Sequence, residues 1–200
     1  MTGLHEADVS ADPFHQFRIW LDEEVHAGLH LPAAMIVATA TVTGHPSARA
    51  VLLNGFDDRG FVFFTNYASR KARELAENPT AAGLFYWPRS GRQVRVEGTV
   101  TRTSPEESDA YFRGRHRDSQ IGAWASAQSE RIANRETLER RVMELTDEYQ
   151  GRAVPRPTFW GGYRLVPQTF EFWVSRPNRL HDRLWYTRVV RKWEIHRLAP

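Results

Sequence analysis

Three groups of side chains in this 200-residue chain combine cations with hydroxyls or aromatic rings at spacings that permit a shared ligand. Tyr111, Arg115 and Ser119 stand four apart. On one continuous helix they would line a single face at about 6 Å per step along the axis. A phenol, a guanidinium and a hydroxyl so arranged suit a phosphate ester, and Ser119 can also open the next segment, SQIGAW, whose first amides attract an anion. Arg49, in ARAVLLN, joins Ser69, Arg70 and Lys71 after the FFTNYA turn as a second candidate phosphate site. In RLHDR, residues 179 to 183, a strand would project Arg179, His181 and Arg183 to one face, with Trp173 of EFW close by. That pattern suits a site of mixed aromatic and cationic character. For each group the competing reading is surface decoration, where most arginines are found.

The remaining residues narrow the chemistry. Cys is absent, which removes disulfides, thiolate metal sites and thiol nucleophiles. Phosphate-loop, dinucleotide, nucleophile-elbow and HExxH signatures are absent too. His26 and His30 are four apart and could share a metal, but no third ligand lies near them in sequence, which favours an exposed pair. A net charge of +3 is too small for a nucleic-acid coat. The longest apolar-leaning run, from Ala33 to Val42, is about half a membrane span, and the first residues lack a signal-peptide core. We therefore expect no nucleic-acid partner, no membrane and a cytoplasmic location. Aromatics at 12%, seven of them Trp, fill a β-rich core or offer flat surfaces to a planar ligand.

These groups need elements to hold them. Asp12 and Pro13 mark the start of an amphipathic helix carrying Phe14, Phe17, Leu21 and Val25. AMIVATATV, ARAVLLNGF and FVFFT read as strands joined by short turns, followed by a short helix, SRKARELAEN, which Ser69 can cap. TAAGLFYW and RQVRVEGTVTRT resume the strands, and in the second Val94, Val96 and Val100 alternate with Gln93, Arg95, Glu97 and Thr99, leaving one face wet or facing a ligand. Ser104 and Glu107 suggest a capping box for EESDAYFRGR. A helix of roughly Glu130 to Gln150 carries Ile132, Leu138, Val142, Leu145 and Tyr149, and strands follow near YRLVP, TFEFWVS, RLWYTR and KWEIHRL. Strands dominate, nothing alternates βαβ, and no linker divides the chain. The expectation is one β-dominated (α+β) domain over residues 1–200, with 1–11 a flexible N-terminal arm.

From about Asp12 to Pro200 the chain resembles the pyridoxine/pyridoxamine 5′-phosphate oxidase family of FMN enzymes. The carriers are RAVLLNGFDDRGFVFFTNYASRKARELAENP, RQVRVEGTVTR, DSQIGAWASAQS, VPRPTFWGGYRL, FEFW and RLHDR, closing on HRLAP. The resemblance implies a split β-barrel with flanking helices, assembled as a homodimer with FMN across the interface. By position it places FMN contacts on Arg49, Ala50, Val51, Leu52, Leu53, Asn54, Phe64, Thr65, Arg70, Lys71, Gln128 and Ser129. Gln93 at the ring edge, Trp173 and Arg183 complete the flavin pocket. Substrate phosphate falls to Asn54, Tyr111, Arg115 and Ser119, and the pyridine ring to Arg179 and His181, which the resemblance makes the catalytic pair.

The implied reaction oxidises pyridoxamine or pyridoxine 5′-phosphate to pyridoxal 5′-phosphate, with hydride passing to flavin N5 and dioxygen reoxidising the flavin to give hydrogen peroxide. Three departures touch the substrate side. Asn54 stands where members usually carry Lys, Val174 where they usually carry Gln, and the stretch before the first helix is short for the arm that covers the substrate. They keep open a related oxidase of another aromatic ring, as in phenazine biosynthesis. A flavin-binding protein without turnover and a basic nucleic-acid module are further alternatives, both disfavoured by the retained Tyr111, Arg115, Ser119, Arg179 and His181.

Overall fold

Asp12 opens the first helix, α1 (Pro13–His26), by accepting from the Phe14 amide, and Pro13 takes a first-turn position where its missing N–H leaves nothing unpaired. The computed structural model describes residues 3–190 and 192–200. Phe14, Phe17 and Trp20 turn the buried face of α1 inward, where Phe17 meets Phe56 and Phe61 edge-on with ring centroids at 4.9 and 5.0 Å. Offset and edge-on rings of this kind add to the area they bury.

Four strands follow: β1 (Ala34–Ala40), β2 (Pro46–Leu52), β3 (Gly55–Asp57) and β4 (Gly60–Asn66). Helix α2 (Arg70–Glu77) leads to β5 (Thr80–Trp87) and β6 (Arg92–Arg102). Helices α3 (Pro105–Arg113), α4 (Arg117–Ala125) and α5 (Arg135–Glu148) precede β7 (Trp160–Val174), a one-turn 3-10 helix (Pro177–Arg179), β8 (Asp182–Val189) and β9 (Lys192–Arg197). The strands run in the order β2-β1-β5-β6-β7-β4-β3, with β8 added to β7 and β9 to β8. All the pairings are antiparallel. This is the β-dominated, helix-flanked class expected from the sequence. On β6, Val94, Val96 and Val100 are buried, as the alternation requires.

The two separate strands expected at YRLVP and TFEFWVS are one 15-residue strand, β7. Its first half pairs with β4 and its second with β8, and the change falls at a bulge where Gly98 faces Pro167 and Glu97 faces Thr169. An extra residue on one strand bends it, so two short patterns join without a turn. The helix expected from about Glu130 starts at Arg135, because Asn134 caps it by accepting from the Thr137 amide. Ile132 therefore lies outside the helix and is exposed. A second small core of Phe112, Ile121, Leu145, Val154 and Trp160 ties α3, α4 and α5 to the start of β7.

The arm expected at residues 1–11 lies against the barrel over its described part. Leu4 is buried, its amide donates to Asp182 and its carbonyl accepts from Arg197, while Glu6 pairs with Arg197. Met1 and Thr2 fall outside the described residues. Among the described residues no helix is long and apolar enough to cross a membrane.

Candidate active site

Strands β2 and β4, the start of α2, helices α3 and α4, and the loop after α4 converge on a cleft of about 700 Å³. Of the residues expected to bind cofactor or substrate, Ala50, Val51, Leu52, Asn54, Phe64, Thr65, Lys71, Tyr111, Arg115, Ser119 and Gln128 line it. The single helical face expected for Tyr111, Arg115 and Ser119 does not exist. Gly114 ends α3 and His116 caps α4, so the three residues sit on a helix, a linker and a second helix. They still meet in the cleft because the small core holds α3 and α4 together.

One end of the cleft is aromatic and cationic. Phe64, Tyr111 and Trp160 stack nearly parallel, with centroids 3.9 Å apart for Phe64 and Tyr111 and 5.4 Å for Phe64 and Trp160. The Arg115 guanidinium lies 4.7 Å from the centre of the Trp160 ring, and its Nη1 is buried with no hydrogen-bond partner. Burial holds the Arg115 guanidinium below its ordinary pKa. A buried donor left unpaired is costly, so this nitrogen fits an anion entering the cleft. Asn54 Nδ2 donates to Tyr111 Oη at 2.5 Å, which leaves the phenol proton free for a ligand.

The other end is built around Lys71. Its buried Nζ donates to Thr65 Oγ1 at 2.9 Å and to Gln128 Oε1 at 3.2 Å, with Ser69 Oγ at 3.4 Å. Burial first, and then the Arg49 charge, push the Lys71 ammonium down to about 8. Ser129, held at φ 76°, accepts from the Arg70 amide at the start of α2. Arg49 and Arg70 converge on Glu74 beside this end. Leu53 differs from the expectation of a flavin contact: its side chain belongs to the main core and its amide donates to the Ala33 carbonyl.

Gln93, Trp173, Arg179, His181 and Arg183 do not line the cleft. Gln93, Trp173 and Arg183 form one row across β6, β7 and β8. The strand expected to carry RLHDR begins only at Asp182. Arg179 lies in the 3-10 turn with φ 62°, so Arg179, His181 and Arg183 do not share a strand face. His181 packs on Trp173 with ring centroids 4.6 Å apart, and its Nδ1 accepts from the Arg176 amide at 3.1 Å. In the neutral ring this bond places the proton on Nε2. Arg183 is held by Glu171 through Nε at 2.7 Å and Nη2 at 3.1 Å. The sequence reading missed Trp160, Asn66, Glu74 and Glu171. The i, i+4 spacing of Arg70 and Glu74 was a usable signal for one of them. Of the two histidines weighed as a metal pair, His26 bonds the Asp22 carbonyl of its own helix.

Residues 21–148 match the family model described as pyridoxamine 5′-phosphate oxidase, and residues 160–200 match the pyridoxine 5′-phosphate oxidase C-terminal dimerisation region. The chain belongs to the pyridoxamine 5′-phosphate oxidase family. Members are FMN-dependent oxidoreductases, and the barrel is the family's split barrel. A curated pyridoxine/pyridoxamine 5′-phosphate oxidase of Rubrobacter xylanophilus is 59% identical over 198 residues, covering 99% of this chain and 91% of that one. One from Gloeothece citriformis is 53% identical, covering 100% and 94%. Among solved structures, PhzG from Burkholderia lata, in complex with tetrahydrophenazine-1-carboxylic acid, superposes with a TM-score of 0.92 at 36% identity, covering 98% of both chains.

The cofactor of this family is FMN, and the cleft fits it. Lys71 is a buried ammonium whose side-chain partners are hydroxyl and amide oxygens, with no carboxylate among them, so a phosphate supplies the charge it lacks.

Proposed function

We propose that this chain oxidises pyridoxamine or pyridoxine 5′-phosphate to pyridoxal 5′-phosphate, working as a homodimer. The observation that carries the reading is the presence of two separate cations with buried nitrogens in one cleft, Lys71, with Arg49 and Arg70 beside it on Glu74, and Arg115. Two phosphorylated molecules, one cofactor and one substrate, account for both ends.

Thr65, Arg70, Lys71, Gln128 and Ser129 would hold the FMN phosphate and side chain, and Tyr111, Arg115 and Ser119 the substrate phosphate. FMN, when bound, supplies a two-electron acceptor that takes a hydride at N5 and is returned to its oxidised form by dioxygen, with release of hydrogen peroxide. The chain's own part is to bind, orient and exclude water. Asn54 keeps the Tyr111 phenol aimed, and Arg115 neutralises phosphate charge over the Trp160 face. Gln93, Trp173, Arg179, His181 and Arg183 complete the site from the second copy, with His181 donating from Nε2 and Arg179 presenting a planar cation to the pyridine ring. The match of residues 160–200 to a dimerisation region supports this arrangement, since it contains four of the five.

Oxidation of another aromatic ring is the second reading. The likeness to PhzG favours it, as does Asn54 in the cleft, whereas Val174, a second departure, is buried in the main core. Anaerobic mixing of the holoenzyme with pyridoxamine 5′-phosphate, its unphosphorylated form and a dihydrophenazine carboxylate decides between them. Flavin bleaching by the phosphorylated pyridine alone is the expected result; bleaching by the phenazine alone would reassign the substrate.

A further inference from the structure

We propose that Glu74 is a positioning residue for the phosphate end of the cleft, holding Arg49 and Arg70 around Lys71 in the arrangement that receives a phosphomonoester dianion. The inference rests on the reading that the FMN phosphate lies at Lys71.

Glu74 stands on α2, four residues after Arg70, and its side chain is only 4% exposed. Both carboxylate oxygens are engaged. Oε1 accepts from Arg70 Nε at 2.8 Å, and Oε2 accepts from the hydroxyls of Thr39 and Ser47, each at 2.5 Å. Those two hydroxyls in turn accept from Arg49, Thr39 from Nη1 at 2.6 Å and Ser47 from Nη2. Arginine only donates and a carboxylate only accepts, so the direction of every bond in the relay from Arg49 to Glu74 is set. One buried carboxylate thus orients one guanidinium directly and a second through two hydroxyls.

The count of charges agrees with the ligand. Three cations and one carboxylate leave two positive charges, equal and opposite to a phosphate monoester dianion. Burial works to raise the Glu74 carboxyl, but bonds from Ser47, Thr39 and Arg70 outweigh it and hold it at about 2, so it stays charged throughout the working pH range. Glutamine keeps the shape but not the charge. With the amide oxygen towards Arg70, the NH2 group must donate to the two hydroxyls, which then lose the acceptor for their own protons; with the amide reversed, two donors face each other at Arg70. Freed of the carboxylate, the cations repel one another, and Arg70, whose side chain is 58% exposed, is the one with room to leave.

The test uses the 200-residue chain freed of flavin and titrated with FMN and with riboflavin, which lacks the phosphate. The measured quantity is the ratio of the two affinities. Glu74→Gln is expected to lower that ratio at least tenfold through FMN alone, and Ser47→Ala, which removes one relay hydroxyl from a half-buried site, by a few-fold. Equal losses for both flavins mean a merely structural role and overturn the proposal, as does an unchanged ratio or tighter FMN binding in Glu74→Gln. If Glu74→Gln does not fold, Ser47→Ala decides. Lys71→Met separates this inference from the reading beneath it. A ratio that survives Lys71→Met places the phosphate elsewhere and removes both, whereas a ratio lost in Lys71→Met and kept in the Glu74 and Ser47 variants removes only the role of Glu74.

Discussion

At the scale of single residues, Lys71 and Asn54 carry opposite consequences for charge. The Lys71 ammonium, pushed down from 10.5 to about 8 by burial and by Arg49, binds fewer protons in the folded flavin-free chain than in the unfolded chain between those two values. Its contribution to stability therefore rises with pH across that window, because the unfolded state holds the extra proton. Phosphate reverses the balance by favouring the charged form. FMN affinity should be flat between about 6, below which the phosphate takes up its second proton, and about 8, and fall above that as binding comes to require proton uptake by Lys71, an alkaline trend that vanishes in Lys71→Met and is absent for riboflavin. Asn54 is a neutral donor where the family usually has a charged one, and it is spent on Tyr111 Oη. A charged donor to phosphate contributes roughly 1.5 to 3 kcal/mol against about 1 for a neutral one, so Asn54→Lys should tighten pyridoxine 5′-phosphate binding roughly two- to thirtyfold. An ammonium has donors enough for both the phenol and the phosphate. Inhibition by the phosphorylated product, measured with and without added salt, reads the change; an affinity that does not move means the Arg115 end receives no phosphate.

Elements were legible where one local signal decides them and illegible where a long-range contact does. The Asp12 and Ser104 caps and the alternation on β6 follow from local chemistry, and the structure has them. The break between α3 and α4 also had a local sign, Gly114, but four-residue spacing suggested one helix and the small core that forces the turn is assembled from Val154 and Trp160, far along the chain. β7 escaped the reading for the same kind of reason. Pro167 looks like a strand end, yet the chain continues because β6 pairs on both sides of the bulge. In the site, the cation-rich segments pointed to Lys71 and Arg115, while the buried carboxylates Glu74 and Glu171 gave little away. Their role is visible only once the arginines they hold are placed. The bulge itself is testable through Gly98. A Cβ there would stand 2.0 Å from the Val166 carbonyl oxygen and 3.0 Å from Pro167 Cα, both backbone atoms that cannot rotate away. Gly98→Ala should destabilise by roughly 1 to 3 kcal/mol, lowering Tm by roughly 2 to 12 °C, in line with other overpacked interiors. Gly55→Ala, with open space around its Cβ, should leave Tm unchanged. Equal melting of the two variants by calorimetry would remove the bulge as a constraint.

At the scale of the whole molecule, most of the expected site residues divide between the cleft and the row carried by β6, β7 and β8 with the turn between β7 and β8. In the proposed two-fold dimer each site would draw its cleft from one copy and its row from the other. This division yields a prediction that no single-chain site shares. Lys71→Met damages only the cleft, and Arg179→Ala damages only the contributed row. Each homodimer should be inactive, the first through lost FMN and the second with its flavin still bound. When the two variants are unfolded together and refolded as an equal mixture, about half the dimers are hybrids. In each hybrid one site holds both defects and the other holds none. Turnover should return to about a quarter of the wild-type level, with each hybrid retaining one FMN at its intact site. Both variants carry their defects in separate chains, so a site built within one chain gives no recovery at any mixing ratio. Recovery that tracks the hybrid fraction, followed by tagging one variant and isolating mixed dimers, supports the shared site. Its absence in isolated hybrids would place Arg179 and Lys71 in the same copy's site and require the cleft and the row to meet by a movement within one chain.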